Sequence, residues 1–197
     1  MVEFYTPSWE EIHNDVINIS NNILKSGFKP DVIVAVARGG WVVGRLISDI
    51  LNIKNVANIR IEFYSDISET IEKPIISQPI SVDPKNKKIL LCDDVSDTGK
   101  SLSAAVEHLN EKNAKMIKVA CLHKKPWSIL TPDYYSKETD KWVIYPWEYR
   151  ETFEKLLSKF KKQNLSIAES ISKLRALNIP REISEGIINL ILNEDKI

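Results

Sequence analysis

Residues 89–92, Ile-Leu-Leu-Cys, run without a polar side chain straight into Asp93 and Asp94. A short run that is apolar on both faces reads as an inner strand, covered by other elements on both sides. Two adjacent carboxylates cannot follow it into that interior, so they mark the strand's end and project into whatever crevice lies there. The surrounding pattern repeats the theme. Asp31–Ala37 is a second apolar, β-branched run, Val56–Tyr64 alternates, and Lys115–His123 is a further buried strand. Helical spacing falls between them. Ser8 and Glu11 form a capping box ahead of Ile12, Val16, Ile19 and Ile23, with Gly27 as the stop. Residues 41–51 and 101–113 have helical character, and Gly39 and Gly40 are expected to break the chain between strand and helix. Strands alternating with helices predict a doubly wound, mostly parallel α/β sheet that binds ligands at the strands' C-terminal ends.

Composition narrows the function classes. The 197 residues carry 27 basic and 27 acidic side chains, so no bulk attraction to nucleic acid or to an anionic membrane is expected. No apolar run reaches the ~18 residues of a membrane span, and the first residues lack the charged start and apolar core of a signal peptide. A cytoplasmic protein is expected. Cys92 and Cys121 each lie inside apolar runs and are expected to be buried free thiols. Residues 65–87 are polar, rich in Ser and Pro and weakly periodic, and are expected to form a flexible lid. Residues 151–197 read as a helical extension of balanced charge. It has a capping box from Ser166 to Glu169 and apolar stripes at Ile167, Ile171, Leu174 and Leu177, then at Ile183, Ile187 and Leu190. Between strand 115–123 and this tail, Trp127, Trp142 and Trp147 lie among four tyrosines, which reads equally as a base-stacking surface or a small local core.

After Asp93 and Asp94 the chain continues Val-Ser-Asp97-Thr98-Gly99-Lys100-Ser101. Gly-Lys-Ser resembles the end of a nucleotide-hydrolase phosphate loop, but the glycine that loop needs five residues earlier is Asp94 here, and a carboxylate there repels a triphosphate. The layout fits another ligand. Adjacent carboxylates accept from two vicinal hydroxyls. The turn at Asp97–Ser101, opening a helix, offers backbone amides, the helix dipole and the Thr98 and Ser101 hydroxyls to one phosphate. Diol plus phosphate describes a ribose 5-phosphate.

The stretch 89–101 closely resembles the phosphoribosyl pyrophosphate signature of type I phosphoribosyltransferases: an apolar run, two acids, an apolar and a small residue, Asp, Thr-Gly, a variable residue and Ser. Ala37-Arg38-Gly39-Gly40, after the first core strand, resembles the family's pyrophosphate loop, in which the first peptide is often cis. The resemblance implies a core over 1–123, a base-binding hood over 124–150 and the helical extension over 151–197. Lys125-Pro126, followed later by Trp142-Val143-Ile144-Tyr145-Pro146-Trp147, is similar to the hood of 6-oxopurine enzymes, especially the short xanthine–guanine type. By that match Lys125 donates to the purine O6, Trp142 stacks on the ring, and Val143 meets the base edge through its backbone. An ammonium is donor-only, which suits a C6 carbonyl and not the C6 amine of adenine.

The implied reaction transfers 5-phosphoribosyl from phosphoribosyl pyrophosphate to N9 of a purine. Asp97 acts as general base, and Mg²⁺ is held at Asp93 and Asp94 mostly through substrate oxygens and water. Homodimers or homotetramers are usual in the family. Two alternatives stay open: an adenine enzyme on the same scaffold, and a non-catalytic sensor of phosphoribosyl pyrophosphate.

Overall fold

The computed structural model describes residues 3–64 and 73–194. They pack as two compact units: residues 12–140 form one, and the chain ends, through Glu11 and from Lys141 on, form the other. The resemblance implies boundaries after residues 123 and 150; packing groups residues 12–140 and the two chain ends.

The 12–140 unit is built on strands β2 (Val32–Ala37), β3 (Val56–Tyr64), β4 (Lys73–Gln78), β5 (Lys88–Ser96), β6 (Met116–Lys124) and β7 (Tyr134–Glu138). Their order is β4-β3-β2-β5-β6-β7, and every pair is parallel except β3 with β4. The all-apolar runs occupy the centre: β2 pairs β5 from Val32 opposite Ile89 to Ala35 opposite Cys92. Helices α2 (Gly39–Ile50) and α3 (Lys100–Glu111) follow β2 and β5. Val34, Ile59, Leu91, Leu102 and Leu109 belong to one buried cluster. From β2 the sheet grows one way to β3, and from β5 the other way to β6, so the crevice above their ends is where open α/β sheets bind ligands.

Helix α1 (Trp9–Lys25) opens on the predicted capping box. The Ser8 amide donates to Glu11 Oε2 at 2.8 Å, and the Glu11 amide donates to Ser8 Oγ at 3.1 Å. Ile12, Val16, Ile19 and Ile23 are fully buried, and Gly27, at φ 73°, supplies the left-handed conformation that stops the helix. Cys92 and Cys121 are buried free thiols.

Three features depart from the sequence expectations. Part of the predicted 65–87 lid is β4, an antiparallel edge strand with Ile76 opposite Ile61. An edge strand tolerates Pro74 and a weak apolar pattern because only one side is paired. Residues 65–72 of that expected lid lie outside the described residues. Gly39 and Gly40 form the first turn of α2 rather than a break before it. Tyr134–Glu138 is a strand, parallel to β6.

Beneath the C-terminal half of β6 lies a buried polar node. Asp15 of α1 accepts from Ser136 Oγ at 2.5 Å through Oδ1, while its Oδ2 is 3.6 Å from Lys137 Nζ and 4.0 Å from His123 Nε2. One carboxylate therefore ties α1 to β7 and sits beside His123 of β6.

In the terminal unit, β1 (Phe4–Tyr5) pairs in parallel with β8 (Trp142–Val143). Helices α4 (Tyr149–Lys162), α5 (Ile167–Arg175) and α6 (Arg181–Glu194) follow. Ile144, Tyr149, Phe153, Leu174, Ile179, Ile188 and Ile191 form its core, so the tail and the segment just after β8 share one interior. The capping box at Ser166 and Glu169 is present. The buried side of α6 is Ser184, Ile188 and Ile191, one position on from the predicted stripe; Ile183 and Leu190 are 43% and 57% exposed. Tyr145 stacks on Trp147 at 4.7 Å, and Trp9 lies 5.6 Å from Trp147, so these aromatics build a local cluster. Among the described residues, no helix is long and apolar enough to cross a membrane.

Removing the Asp15 carboxylate strips the buried node of its shared acceptor. Asp15→Ala is expected to lower the unfolding free energy by about 3 kcal/mol in denaturant titrations. Asp15→Asn, which keeps an acceptor for Ser136, is expected to lose less.

Candidate active site

Strand β5 carries Asp93 and Asp94 to the rim of the sheet, and the turn Asp97–Gly99 leads directly into α3. Together with Ser101 and Phe63 of β3 they line a cavity of about 350 Å³. Gly99 has φ 79°, and a Cβ there would come within 2.7 Å of both the Leu130 amide nitrogen and Ser128 Oγ. Only glycine fits. No side chain caps α3 at Gly99, and none caps α2 at Arg38; neither helix has an acidic residue in its first turn. Two helix N-termini, with their positive dipole ends, therefore stand above the adjacent strands β2 and β5; the Gly40 amide of α2 donates to Asp93, and the Lys100 amide of α3 donates to Thr98 Oγ1 at 3.4 Å. The peptide Ala37–Arg38 is cis.

Between these termini sit the two carboxylates. The Asp94 carboxylate occupies the space a Cβ on Gly39 would need, and a Cβ on Gly40 would meet the Cys92 carbonyl oxygen and Asp93 Cα. The loop after β2 and the end of β5 are thus fitted to each other, and the two sequence motifs form one site. The Asp93 carboxyl is pushed well above the usual carboxylate range, first by burial and then by the Asp94 charge, with the Asp94 and Gly40 amides opposing. Such a pair favours hydroxyl donors or a cation beside it.

A second segment braces the turn. The Lys125 amide donates to the Ser96 carbonyl at 3.0 Å, and the Ile129 amide to the Thr98 carbonyl at 3.1 Å. Ser96 Oγ lies 2.8 Å from Ser128 Oγ and 3.0 Å from the Leu130 carbonyl oxygen. Sequence reasoning names neither Ser128 nor Leu130 and counts Trp127 only among the aromatics. The only signal was their place in the polar-aromatic stretch after Lys125-Pro126. Trp127 donates its indole N–H to Asp97 Oδ1 at 3.1 Å.

The two neighbouring lysines separate cleanly. Lys124 Nζ is ion-paired to Glu138 at 2.7 Å. Lys125 is only 6% exposed, with Nζ 5.6 Å above the Trp127 ring. Burial lowers the Lys125 ammonium's pKa, while the Asp97 and Asp140 charges oppose that shift. Trp142 and Val143 lie in β8 of the terminal unit; Trp142 is 50% exposed and Val143 is buried. The amides of Trp142 and Ile144 donate to Glu3 and Tyr5 of the β1 side, so the Val143 N–H and C=O point away from β1.

Comparison with known proteins agrees with this geometry. The family described as phosphoribosyl transferase domain matches residues 8–154. Xanthine phosphoribosyltransferase 1 of Saccharomyces cerevisiae is 29% identical over 189 residues, spanning 75% of this chain and 90% of that protein. Hypoxanthine-guanine phosphoribosyltransferase of Schizosaccharomyces pombe is 26% identical, covering 75% and 90%. Among solved structures, a purine phosphoribosyltransferase from Pyrococcus horikoshii is 38% identical, covers 74% of this chain and 93% of its own, and superposes with a TM-score of 0.67.

The two glycines should fail differently. Gly40→Ala has to move backbone and is expected to cost about 2 kcal/mol or more in unfolding free energy. Gly39→Ala needs only the Asp94 side chain to turn aside, so the fold should persist while ribose phosphate binding is lost in calorimetric titration. Asp93 makes a pH prediction. Its carboxyl is held up in the fold, so the ionised form opposes folding above the unfolded value and not below it. Asp93→Asn is expected to raise Tm by about 3 °C at neutral pH in chelator. That gap should close as pH falls below 3.8.

Proposed function

The chain belongs to the phosphoribosyl transferase domain family, and we propose that it transfers 5-phosphoribosyl from phosphoribosyl pyrophosphate to N9 of a purine, a 6-oxopurine in preference, releasing pyrophosphate and the nucleoside 5′-monophosphate. The observation that carries this is the pair Asp93 and Asp94 set between the starts of α2 and α3, neither of which has an acidic residue in its own first turn. A diol recognised between two anions is the outline of phosphoribosyl pyrophosphate. The names of the curated relatives and of the Pyrococcus enzyme support a purine as acceptor.

In this reading the amides of Thr98–Ser101, with the Thr98 and Ser101 hydroxyls, bind the 5′-phosphate. The amides of Ala37–Gly40 bind the pyrophosphate. Asp93 and Asp94 accept from the ribose hydroxyls. Their all-oxygen donor set fits a hard divalent cation. Among the described residues no cluster of three or more His, Cys, Asp or Glu forms a dedicated cage, so substrate oxygens and water would supply most ligands. Mg²⁺ bound there would offset charge on the departing pyrophosphate. Asp97 takes the proton from N7 of the attacking base. Lys125 donates to O6, Trp142 stacks on the purine, and the outward-pointing Val143 backbone meets the base edge.

A buried ammonium beside Asp97 supports catalysis on an oxo base over a sensor role, which needs no base donor. The test follows nucleotide formation from phosphoribosyl pyrophosphate and Mg²⁺ with hypoxanthine, guanine, xanthine and adenine. Oxopurines are expected to react at least about 100-fold more efficiently than adenine, and Asp97→Asn to slow the reaction by about 100-fold or more. Reaction with adenine alone would contradict the role of Lys125, and binding without reaction would make the protein a sensor. Because burial lowers the Lys125 pKa, its charge and donor-only character are lost as pH rises, and earlier than for an exposed lysine. The wild-type advantage over Lys125→Met in kcat/KM should therefore shrink below pH 10.5. Taking that ratio cancels the base's own ionisation. A constant ratio up to that pH would remove Lys125 from base recognition.

A further inference from the structure

We infer that Trp127 is a positioning residue for Asp97, holding the carboxylate with one oxygen engaged and the other presented to the base; this rests on Asp97 being the proton acceptor proposed above. Trp127 is 55% exposed, so core packing does not explain it. Asp97 is also exposed. An exposed aspartate rotates freely, and a general base has to be held at hydrogen-bond reach of its proton. Among the described residues, the hydrogen bond that the Asp97 side chain receives is the indole N–H at 3.1 Å on Oδ1. That leaves Oδ2 for the proton on N7.

The indole is itself held in register with the turn it serves. On one side of it the Lys125 amide is bonded to the Ser96 carbonyl. On the other, the Ile129 amide is bonded to the Thr98 carbonyl, and the Ser128 amide closes back on the Lys125 carbonyl at 3.1 Å. The backbone around Trp127 therefore moves with Asp97. The same ring lies 5.6 Å beneath Lys125 Nζ, so one side chain touches both the proposed proton acceptor and the proposed O6 donor. Trp127 thereby couples the spacing of the two groups that read N7 and O6 of a 6-oxopurine.

Two substitutions separate its two contacts. Trp127→Phe keeps a ring under Lys125 and removes the N–H; Trp127→Leu removes both. The readouts are the single-turnover rate of nucleotide formation, KM for the base, and the Kd of phosphoribosyl pyrophosphate, each in the wild-type and Asp97→Asn backgrounds. Trp127→Phe is expected to slow single turnover by about tenfold while shifting that Kd by less than about twofold. In Asp97→Asn it should change the rate by less than about twofold, because the group it positions is gone. Trp127→Leu should lose the same rate and raise KM for the base as well. An unchanged rate in Trp127→Phe, an equal loss in both backgrounds, or a parallel loss of phosphoribosyl pyrophosphate binding would overturn the inference. If the wild-type protein forms nucleotide from no base, the proposed reaction itself fails, and this inference with it.

Discussion

The end of β5 lies so close to the start of α2 that neither Gly39 nor Gly40 has room for a Cβ. Most of the site follows from that fit. It sets two helix starts over neighbouring parallel strands and fixes the Asp93–Asp94 pair between them. It also forces an acidic pair into partial burial, where the Asp93 carboxyl is held well above its ordinary range. A fold optimised for stability alone would not place a like-charged pair there. Sites that bind polyhydroxylated or cationic ligands accept such a cost and recover it when the ligand arrives.

The end of β6 completes the arrangement. The segment after it folds back on the β5 turn through Lys125, Ser128, Ile129 and Leu130. The bond from the Lys125 amide to the Ser96 carbonyl ties the proposed base-reading lysine to the end of β5, and that from the Ile129 amide to Thr98 ties the same segment to the proposed phosphate turn. The Asp15 carboxylate lies beside His123 of β6, two residues before Lys125. In the terminal unit, β8 has its own support. Ile144 enters a core made with α4, α5 and α6, so the helical tail backs the strand that carries Trp142 and Val143.

Much of this was legible in the residues. The apolar run ending in Asp93-Asp94, the Thr98-Gly99 turn and the capping boxes at Ser8 and Ser166 rest on local rules: burial of both strand faces, φ > 0 at glycine, and orphan amides at helix starts. These need only neighbours in sequence. What was missed depends on partners far along the chain. β4 and β7 are edge strands, paired on one side, so their patterns are weak and tolerate Pro74 or Lys137. The buried face of α6 is one residue off because Ile187 and Ile188 both satisfy helical spacing, and only packing against Phe153 and Leu174 chooses between them. Trp127 was read with the other aromatics as a base-stacking surface or a local core, since no sequence rule joins it to Asp97, thirty residues earlier. Ile144 and Tyr149, in the stretch that the resemblance implies is a hood, share one interior with the helical tail.

The account stands on the β5 turn and the paired acids gripping a phosphorylated ribose. Amide chemical-shift mapping during titration with a purine nucleoside 5′-monophosphate tests this directly. The largest shifts are predicted at the amides of Asp93, Asp94 and Thr98–Leu102. Shifts confined to another hollow, such as the one between Arg45 and Lys54, with the β5 turn unmoved, would contradict it.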